Sequence, residues 1–329
     1  MGKKIVGIAM GGYSSEREIS LQSGMTVIQN IPPSRWDCYK IIVAKDQWSV
    51  IDKHEKPYEL NPDDFTFKQG DQTIHFDIIF NAIHGSPGED GQLAKKFAQL
   101  KIPHTSCGFD TAAHTFDKRA CLEAIKKWDI PVARSFCFDE GDSLDLDKII
   151  EAVGLPCFVK PNRSGSSYGI VKVKEKWELR EAIAVALKED SQLIIETALV
   201  GMEISVGAYA LNDKVIVLPI TEIITENDFF DFDAKYNGKS REITPARLDE
   251  KTVTTVNKLV KKLYLNLNIN GVCRSEFIIV DGSPHLLEVN TIPGLTAASL
   301  IPQQLKVAGI QLSDFFESLL EEAMKKPVH

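Results

Sequence analysis

The sequence predicts an α/β protein whose N-terminal part is a doubly wound parallel sheet. Two observations point there. Phe76–Ile83 (FDIIFNAI) is a continuous apolar run with no polar alternation, as expected of a strand buried on both faces. Strand, loop and helix patterns also alternate with short links up to about residue 105. In order, Lys4–Met10 is a short apolar strand, a Gly-rich turn (Gly11–Ser15) follows, and a helix is predicted from about Glu16 to Asn30. Trp36–Ala44 is a further strand, and Phe76–Ile83 runs through the loop HGSPGEDG into a helix ending at Leu100. Both Gly-rich loops lie at carboxyl ends of strands, where open α/β sheets hold their ligands.

Beyond this domain one helix is predicted over 112–128, then a strand Val132–Phe138. A small αβ lobe follows: helix Leu146–Val153, strand Pro156–Pro161, loop Asn162–Gly169, strand Ile170–Val173, helix Lys176–Lys188 and strand Leu193–Glu196. The last part carries strands Glu203–Ala210 and Lys214–Ile220, then a polar stretch, 225–248. A connection that long reads as a lid or as disorder. Helix Glu250–Asn266, a hairpin Gly271–Val280/Pro284–Asn290 and two helices complete the chain.

Composition bounds the function. The 329 residues suit two or three domains, and 43% hydrophobic with 26% charged residues is normal for a globular protein. A formal net charge of −8 argues against nucleic acid or an anionic membrane as partner, since both require a basic surface. No apolar run approaches the ~18 residues of a membrane span. The N-terminus lacks a signal-peptide pattern, and the six cysteines form no CxxC pair. Buried free thiols in a reducing, cytoplasmic compartment are expected.

Two segments carry chemistry. In KPNRSGSSYG, small residues between two strands let backbone N–H groups approach phosphate oxygens, with Lys160 supplying charge. This is not a Walker A loop, and a strand rather than a helix follows it, which excludes a dinucleotide fingerprint. Taken alone, it is equally the composition of a surface turn. The hairpin RSEFIIVDGSPHLLEVN says more. Glu288 and Asn290, two apart on a strand, share a face. With a three-residue turn Asp281–Ser283, Glu276 stands opposite Glu288, and three hard oxygen donors converge as Mg²⁺ prefers. Arg274 projects from the same face. Past the hairpin, the Pro-Gly turn offers the Gly294 N–H as an oxyanion donor, and a helix beginning near Thr296 points its positive end at an anion. Ser299, in its first turn, is either a carboxylate contact or a simple cap.

GGYSSEREISLQSG, HGSPGEDG, KPNRSGSSYG, DFDAKY and EVNTIPG, in this order and spanning nearly the whole chain, resemble the successive signature segments of the D-alanine–D-alanine ligase family. The resemblance implies a three-domain ATP-grasp fold, divided at 1–110, 111–200 and 201–329, with 225–248 as lid. It further implies ATP as co-substrate, Mg²⁺ (replaceable by Mn²⁺) as metal, D-alanine as substrate, and a homodimer. By position, Glu16 holds the first D-alanine's ammonium, His84 lies near that amino acid, and Glu89 supports the site. Lys118, Lys160 and Ser167 meet ATP phosphates, Glu196 lies by the adenine, Glu203 binds the ribose and Lys235 touches the γ-phosphate. Ser166 and Tyr236 join Glu16 in a triad that closes the site. Arg274 and Gly294 stabilise the tetrahedral intermediate, Glu276, Glu288 and Asn290 bind the metal, and Ser299 takes the second carboxylate.

The chain departs from the family pattern at Ser164 (usually Glu), Glu276 (usually Asp) and Ala298 (frequently His), and lacks the Gln-Gly usual after GEDG. The implied reaction has two steps: D-alanine carboxylate attacks the γ-phosphate of ATP, and a second D-alanine amine then attacks the acylphosphate. D-lactate or D-serine as acceptor, and a non-catalytic nucleotide-binding protein on the same fold, are the alternatives. Tyr236 argues against the depsipeptide-forming D-lactate acceptor, and the intact ligand set with Arg274 against the non-catalytic reading.

Overall fold

The computed structural model describes residues 2–165, 168–225 and 240–326. Three sheets organise the chain. The first comprises β1 (Lys4–Gly11), β2 (Trp36–Val43), β3 (Trp48–Ile51), β4 (Pro57–Asn61), β5 (Thr66–Gln69), β6 (Gln72–Ile74) and β7 (Ile78–Asn81), in the order β6-β5-β4-β3-β2-β1-β7. It is parallel only across β2-β1-β7. From β2 outward, successive antiparallel pairs extend it. These short strands, residues 48–74, have no strong periodicity and were not legible in the sequence. The helices α1 (Arg17–Asn30) and α2 (Gln92–Leu100) follow β1 and β7. The buried side of α1 is Ser20, Ser23, Gly24 and Val27, a helical stripe of small residues that lets it lie close to β1.

The helix expected over 112–128 is two: α3 (Phe109–Phe116) and α4 (Lys118–Lys126). Asp117 divides them, because its carboxylate caps α4 by accepting from Ala120 N–H at 2.9 Å. Cys121, Ile125 and Ile130 enter a core shared with the last sheet rather than with the small lobe that follows. That lobe has its own core beneath a four-stranded antiparallel sheet of β8 (Ser135–Asp139), β9 (Cys157–Pro161), β10 (Val171–Val173) and β11 (Gln192–Thr197), ordered β10-β9-β11-β8. On it pack α5 (Leu146–Val153) and α6 (Leu179–Ala186), the latter preceded by a 3-10 turn, Lys176–Glu178.

The third sheet contains β12 (Met202–Leu211), β13 (Lys214–Val217), β14 (Thr221–Thr225), β15 (Ser240–Ile243), β16 (Val272–Val280) and β17 (Ser283–Asn290). Its order is β15-β14-β12-β16-β17, with β13 on β12. Part of the expected lid is strand, since Thr225 ends β14 and Ser240–Ile243 form β15, which pairs with β14, while 226–239 lie outside the described residues. Helix α7 (Glu250–Asn266) packs on this sheet, and α8 (Leu300–Val307) and α9 (Leu312–Lys325) end the chain. Helix α9 is wedged between the first and third sheets. Phe316 meets Phe80 edge-on at 5.7 Å between centroids, and Phe315 meets Tyr209 at 5.0 Å. Glu317 accepts from Trp36 Nε1 at 3.0 Å and pairs with Arg35. No described helix is long and apolar enough to cross a membrane. Of the six cysteines, all free, four are buried as expected, Cys38 is half-buried and Cys137 is exposed on its strand.

Candidate active site

The loops after β1 and β7 are stitched together. Tyr13 N–H donates to Ser86 O at 2.8 Å, and Ser14 Oγ donates to His84 O at 2.9 Å. This sets Glu16, at the start of α1, beside His84 and Glu89. The Glu16 side chain makes no cap bond to its own helix, so it faces the cavity instead. Gly165 approaches it from the small lobe. A Cβ on Gly165 would stand 2.4 Å from Glu16 Oε2, so any larger residue here would push this carboxylate aside.

Glu89 is buried. It accepts from Gly85 N–H at 3.0 Å. Burial, with Glu16 and then Glu288 adding repulsion, pushes its pKa up to about 8 against the pull of the Gly85 N–H and Lys118. His84, 3% exposed, is used at both ring nitrogens. Nδ1 lies 2.8 Å from Ile292 O, so it is the protonated nitrogen, and Nε2 lies 3.2 Å from Ser23 Oγ, which also accepts from Leu295 N–H at 3.1 Å. Burial holds the His84 pKa below its ordinary value despite Glu16 and the Ile292 carbonyl. His84 thus lines the cavity and also fastens the Pro-Gly turn to the N-terminal domain. Ser23 completes that tie. Its only sequence signal is its position two turns beyond Glu16 on the same helix face.

The hairpin β16–β17 does bring Glu276 opposite Glu288, but not by a three-residue turn. The turn has two residues, Asp281–Gly282, since Val280 pairs with Ser283. A bulge at Glu276/Phe277 shifts the register by one. Without it Glu276 would face Leu287 and Arg274 would face Val289, setting the carboxylate and the guanidinium against apolar partners. With it Glu276 pairs with Glu288 and Arg274 with Asn290. Arg274 donates through Nε to Glu276 Oε1 at 2.9 Å and through Nη2 to the same oxygen at 2.7 Å. Among the described residues, no group of three His, Cys, Asp or Glu side chains is placed to hold a metal. The expected set has only two carboxylates, its third donor being the Asn290 amide oxygen, which accepts from Ile292 N–H at 2.9 Å.

Two cavities follow. One, about 350 Å³, is lined by Glu16, His84, Glu89, Arg274, Asn290, Gly294 and Ser299. The second, about 530 Å³, lies between the small lobe and the third sheet and is lined by Lys160, Glu196, Glu203 and Glu276. Lys118, Ser164, Gly165 and Glu288 line both. The buried Lys160 Nζ pairs with Glu196 Oε2 at 2.7 Å. Burial works to lower its pKa, but Glu196, helped by Glu288 and Glu203, holds it above the ordinary value. Lys118 Nζ donates to Ser164 O at 2.7 Å, and the fully buried Asn162 ties the same loop to α4 through Arg119 N–H and to the cap residue Asp117. Gly294 lies so close to Ser299 that a Cβ would stand 2.7 Å from its Oγ, while that hydroxyl bonds Thr296 Oγ1 at 2.8 Å. Ser299 is the N-cap residue of α8 in position, without a side-chain cap bond. Ser166, Ser167, Lys235 and Tyr236 lie outside the described residues, so the expected triad is represented by Glu16 alone. A residue that sequence reasoning missed, Glu242 on β15, also lines the first cavity.

Three sheets of this order, with a cation-lined cavity between the last two and an acidic hairpin at its floor, define an ATP-grasp ligase. Family models described as the N- and C-terminal parts of D-ala D-ala ligase match residues 5–107 and 124–321. The chain belongs to the D-alanine–D-alanine ligase family. It is 47% identical to the D-alanine--D-alanine ligase of Flavobacterium johnsoniae, over 97% of this chain and 98% of that one. Identity to the same enzyme of Christiangramia forsetii is 43%, over 98% and 99%. Among solved structures, the VanG D-Ala:D-Ser ligase of Enterococcus faecalis is similar with a TM-score of 0.86 at 29% identity, covering 98% of this chain and all of that one. D-alanyl-alanine synthetase A of Vibrio cholerae has a TM-score of 0.88 at 26% identity, covering 99% and 100%.

Proposed function

We propose that this enzyme joins two D-alanines at the expense of ATP, through a D-alanyl phosphate, to supply D-alanyl-D-alanine for peptidoglycan. The observation that carries the reading is the meeting of the two cavities at Lys118, Gly165 and Glu288. A carboxylate in the smaller cavity and a terminal phosphate in the larger one meet there, and proximity of that kind supplies much of the catalysis of a two-substrate reaction. Glu16 receives the first D-alanine's ammonium, with Glu89 behind it. Lys118 and Lys160 receive phosphate oxygens, Glu196 lies toward the base, and Glu203 toward the ribose. The donor set Glu276, Glu288 and Asn290 is all oxygen, on one face of a hairpin, and fits Mg²⁺. When bound, Mg²⁺ or Mn²⁺ would neutralise phosphate charge at this seam. Arg274 and the Gly294 N–H are available to an oxyanion, and Ser299 with the start of α8 to the second carboxylate.

The remaining parts of the reading rest on the resemblance. They are the division at 1–110, 111–200 and 201–329, the roles of Ser166, Ser167, Lys235 and Tyr236, a lid within 225–248, a homodimer and a cytoplasmic location. The test of the reaction is direct: incubate with ATP, Mg²⁺ and D-alanine and weigh the products. D-alanine-dependent ADP release with D-alanyl-D-alanine as product is expected. ATP binding without any ADP release would leave a nucleotide-binding protein. A predominant D-alanyl-D-lactate or D-alanyl-D-serine product, with those acceptors also present, would overturn the acceptor assignment.

A further inference from the structure

We propose that Glu242 binds the ammonium of the acceptor amino acid and takes one of its protons, and so selects an amino acid over a hydroxy acid. This rests on the ligase reading above and names a residue in it. Glu242 comes from β15, the edge of the third sheet, and reaches the smaller cavity beside Ala298, Ser299 and Leu300. Glu16 and Glu89 line the same cavity from the N-terminal domain. The cavity therefore has a carboxylate on each side, which is what two zwitterions in line require.

Gln303, one turn into α8, fixes this carboxylate. Its Nε2 donates to Glu242 Oε2 at 2.6 Å and to Ala298 O at 2.9 Å. Among the described residues no other group hydrogen-bonds the Glu242 carboxylate. In an α-amino acid the carboxylate and the nitrogen are separated by one carbon. A carboxylate held at Ser299 and the start of α8 therefore puts its ammonium within reach of this wall. Ala298 lines the same wall. Burial favours the neutral form of Glu242, against the Gln303 hydrogen bond and Arg274, which suits a group that must accept a proton.

The step balances. One ammonium proton passes to a Glu242 oxygen, and the freed nitrogen lone pair forms the C–N bond at the acyl carbon of D-alanyl phosphate. The C–O bond to phosphate breaks, its electron pair leaves with phosphate, and the second nitrogen proton departs on that phosphate. A hydroxy acid brings a carboxylate but no ammonium, so in this cavity its negative charge would face Glu242 uncompensated.

The test separates the two half-reactions in Glu242→Gln and Glu242→Asp. Acylphosphate formation is read as D-alanine hydroxamate, trapped with hydroxylamine, an uncharged nucleophile that needs no acceptor base. Ligation is read as D-alanyl-D-alanine, and selectivity as the product ratio with D-alanine and D-lactate competing. For Glu242→Gln we expect hydroxamate formation within a few-fold of wild type, acceptor kcat/KM lower by roughly 10²-fold, and a D-lactate to D-alanine product ratio higher by about tenfold. Glu242→Asp should recover part of the selectivity. Equal loss of hydroxamate and dipeptide, or an unchanged product ratio, overturns the proposal. If the wild type forms neither hydroxamate nor dipeptide, the ligase reading itself fails, a result distinct from either.

Discussion

The two cavities are built in opposite ways. The larger is framed by strands: Lys160 on β9, Glu196 on β11, Glu203 on β12 and the acidic pair on β16 and β17. Within each of its two walls the geometry is fixed by ladder register, a local property once two strands pair. The smaller draws on separate loops and helix starts, from Glu16 through the Pro-Gly turn to α8. Its geometry depends on docking, through contacts such as His84 to Ile292 and Gly165 over Glu16. On the proposed reading, the nucleotide side is carried by strands and the amino-acid side by segments far apart in sequence. Lesions in the larger cavity should act on ATP use, and those in the smaller on D-alanine use.

The sharpest test lies at the seam, where the distinction should vanish. Glu288→Gln removes a charge that serves both sides and should lower kcat by roughly 10³-fold with the fold intact by circular dichroism. Unchanged turnover at saturating Mg²⁺ would refute the assignment. Lys160→Met should come next, raising KM for ATP by about 10²-fold and leaving Glu196 buried without its partner. KM for D-alanine should change several-fold less, and an equal change in both would break the comparison.

Gly165→Ala should show the converse. Although Gly165 lines both cavities, a methyl there would meet only Glu16, so the KM of the first D-alanine should rise by roughly tenfold while ATP binding, followed by calorimetry, changes little. The smallest effect is on stability. Because its folded-state pKa is raised to about 8, Glu89 favours the fold most when protonated, and its contribution is lost as pH rises from the ordinary carboxylate range through about 8. Glu89→Gln should therefore melt close to wild type at pH 5 and above it by a few degrees at pH 9, in scanning calorimetry without ligand. A gap that does not widen with pH would mean that Glu89 is ionised in the folded protein.

Some of this was legible because it is local. Apolar runs marked β1 and β7, and alternation put Glu288 and Asn290 on one face. Small residues flagged the loop after β9. Signature segments in order carried the family and, through it, positions such as Glu16 and Glu203 that no spacing rule singles out. Other features resisted for physical reasons. One capping carboxylate, Asp117, divides a helix whose apolar pattern reads as continuous. The weak strands between 48 and 74 persist only because each completes its neighbour's hydrogen bonds at a sheet edge.

The sequence by itself determined the fold class, the family and the acidic hairpin, since hydrophobic period and residue type act over a few residues. Tertiary structure decided how these pieces meet. It placed a bulge at Leu287 to bring Glu276 opposite Glu288, used both His84 nitrogens to hold a turn more than 200 residues away, and carried Glu242 into a cavity from a featureless polar stretch. Such features are set by pairing and packing among residues that no sequence window contains.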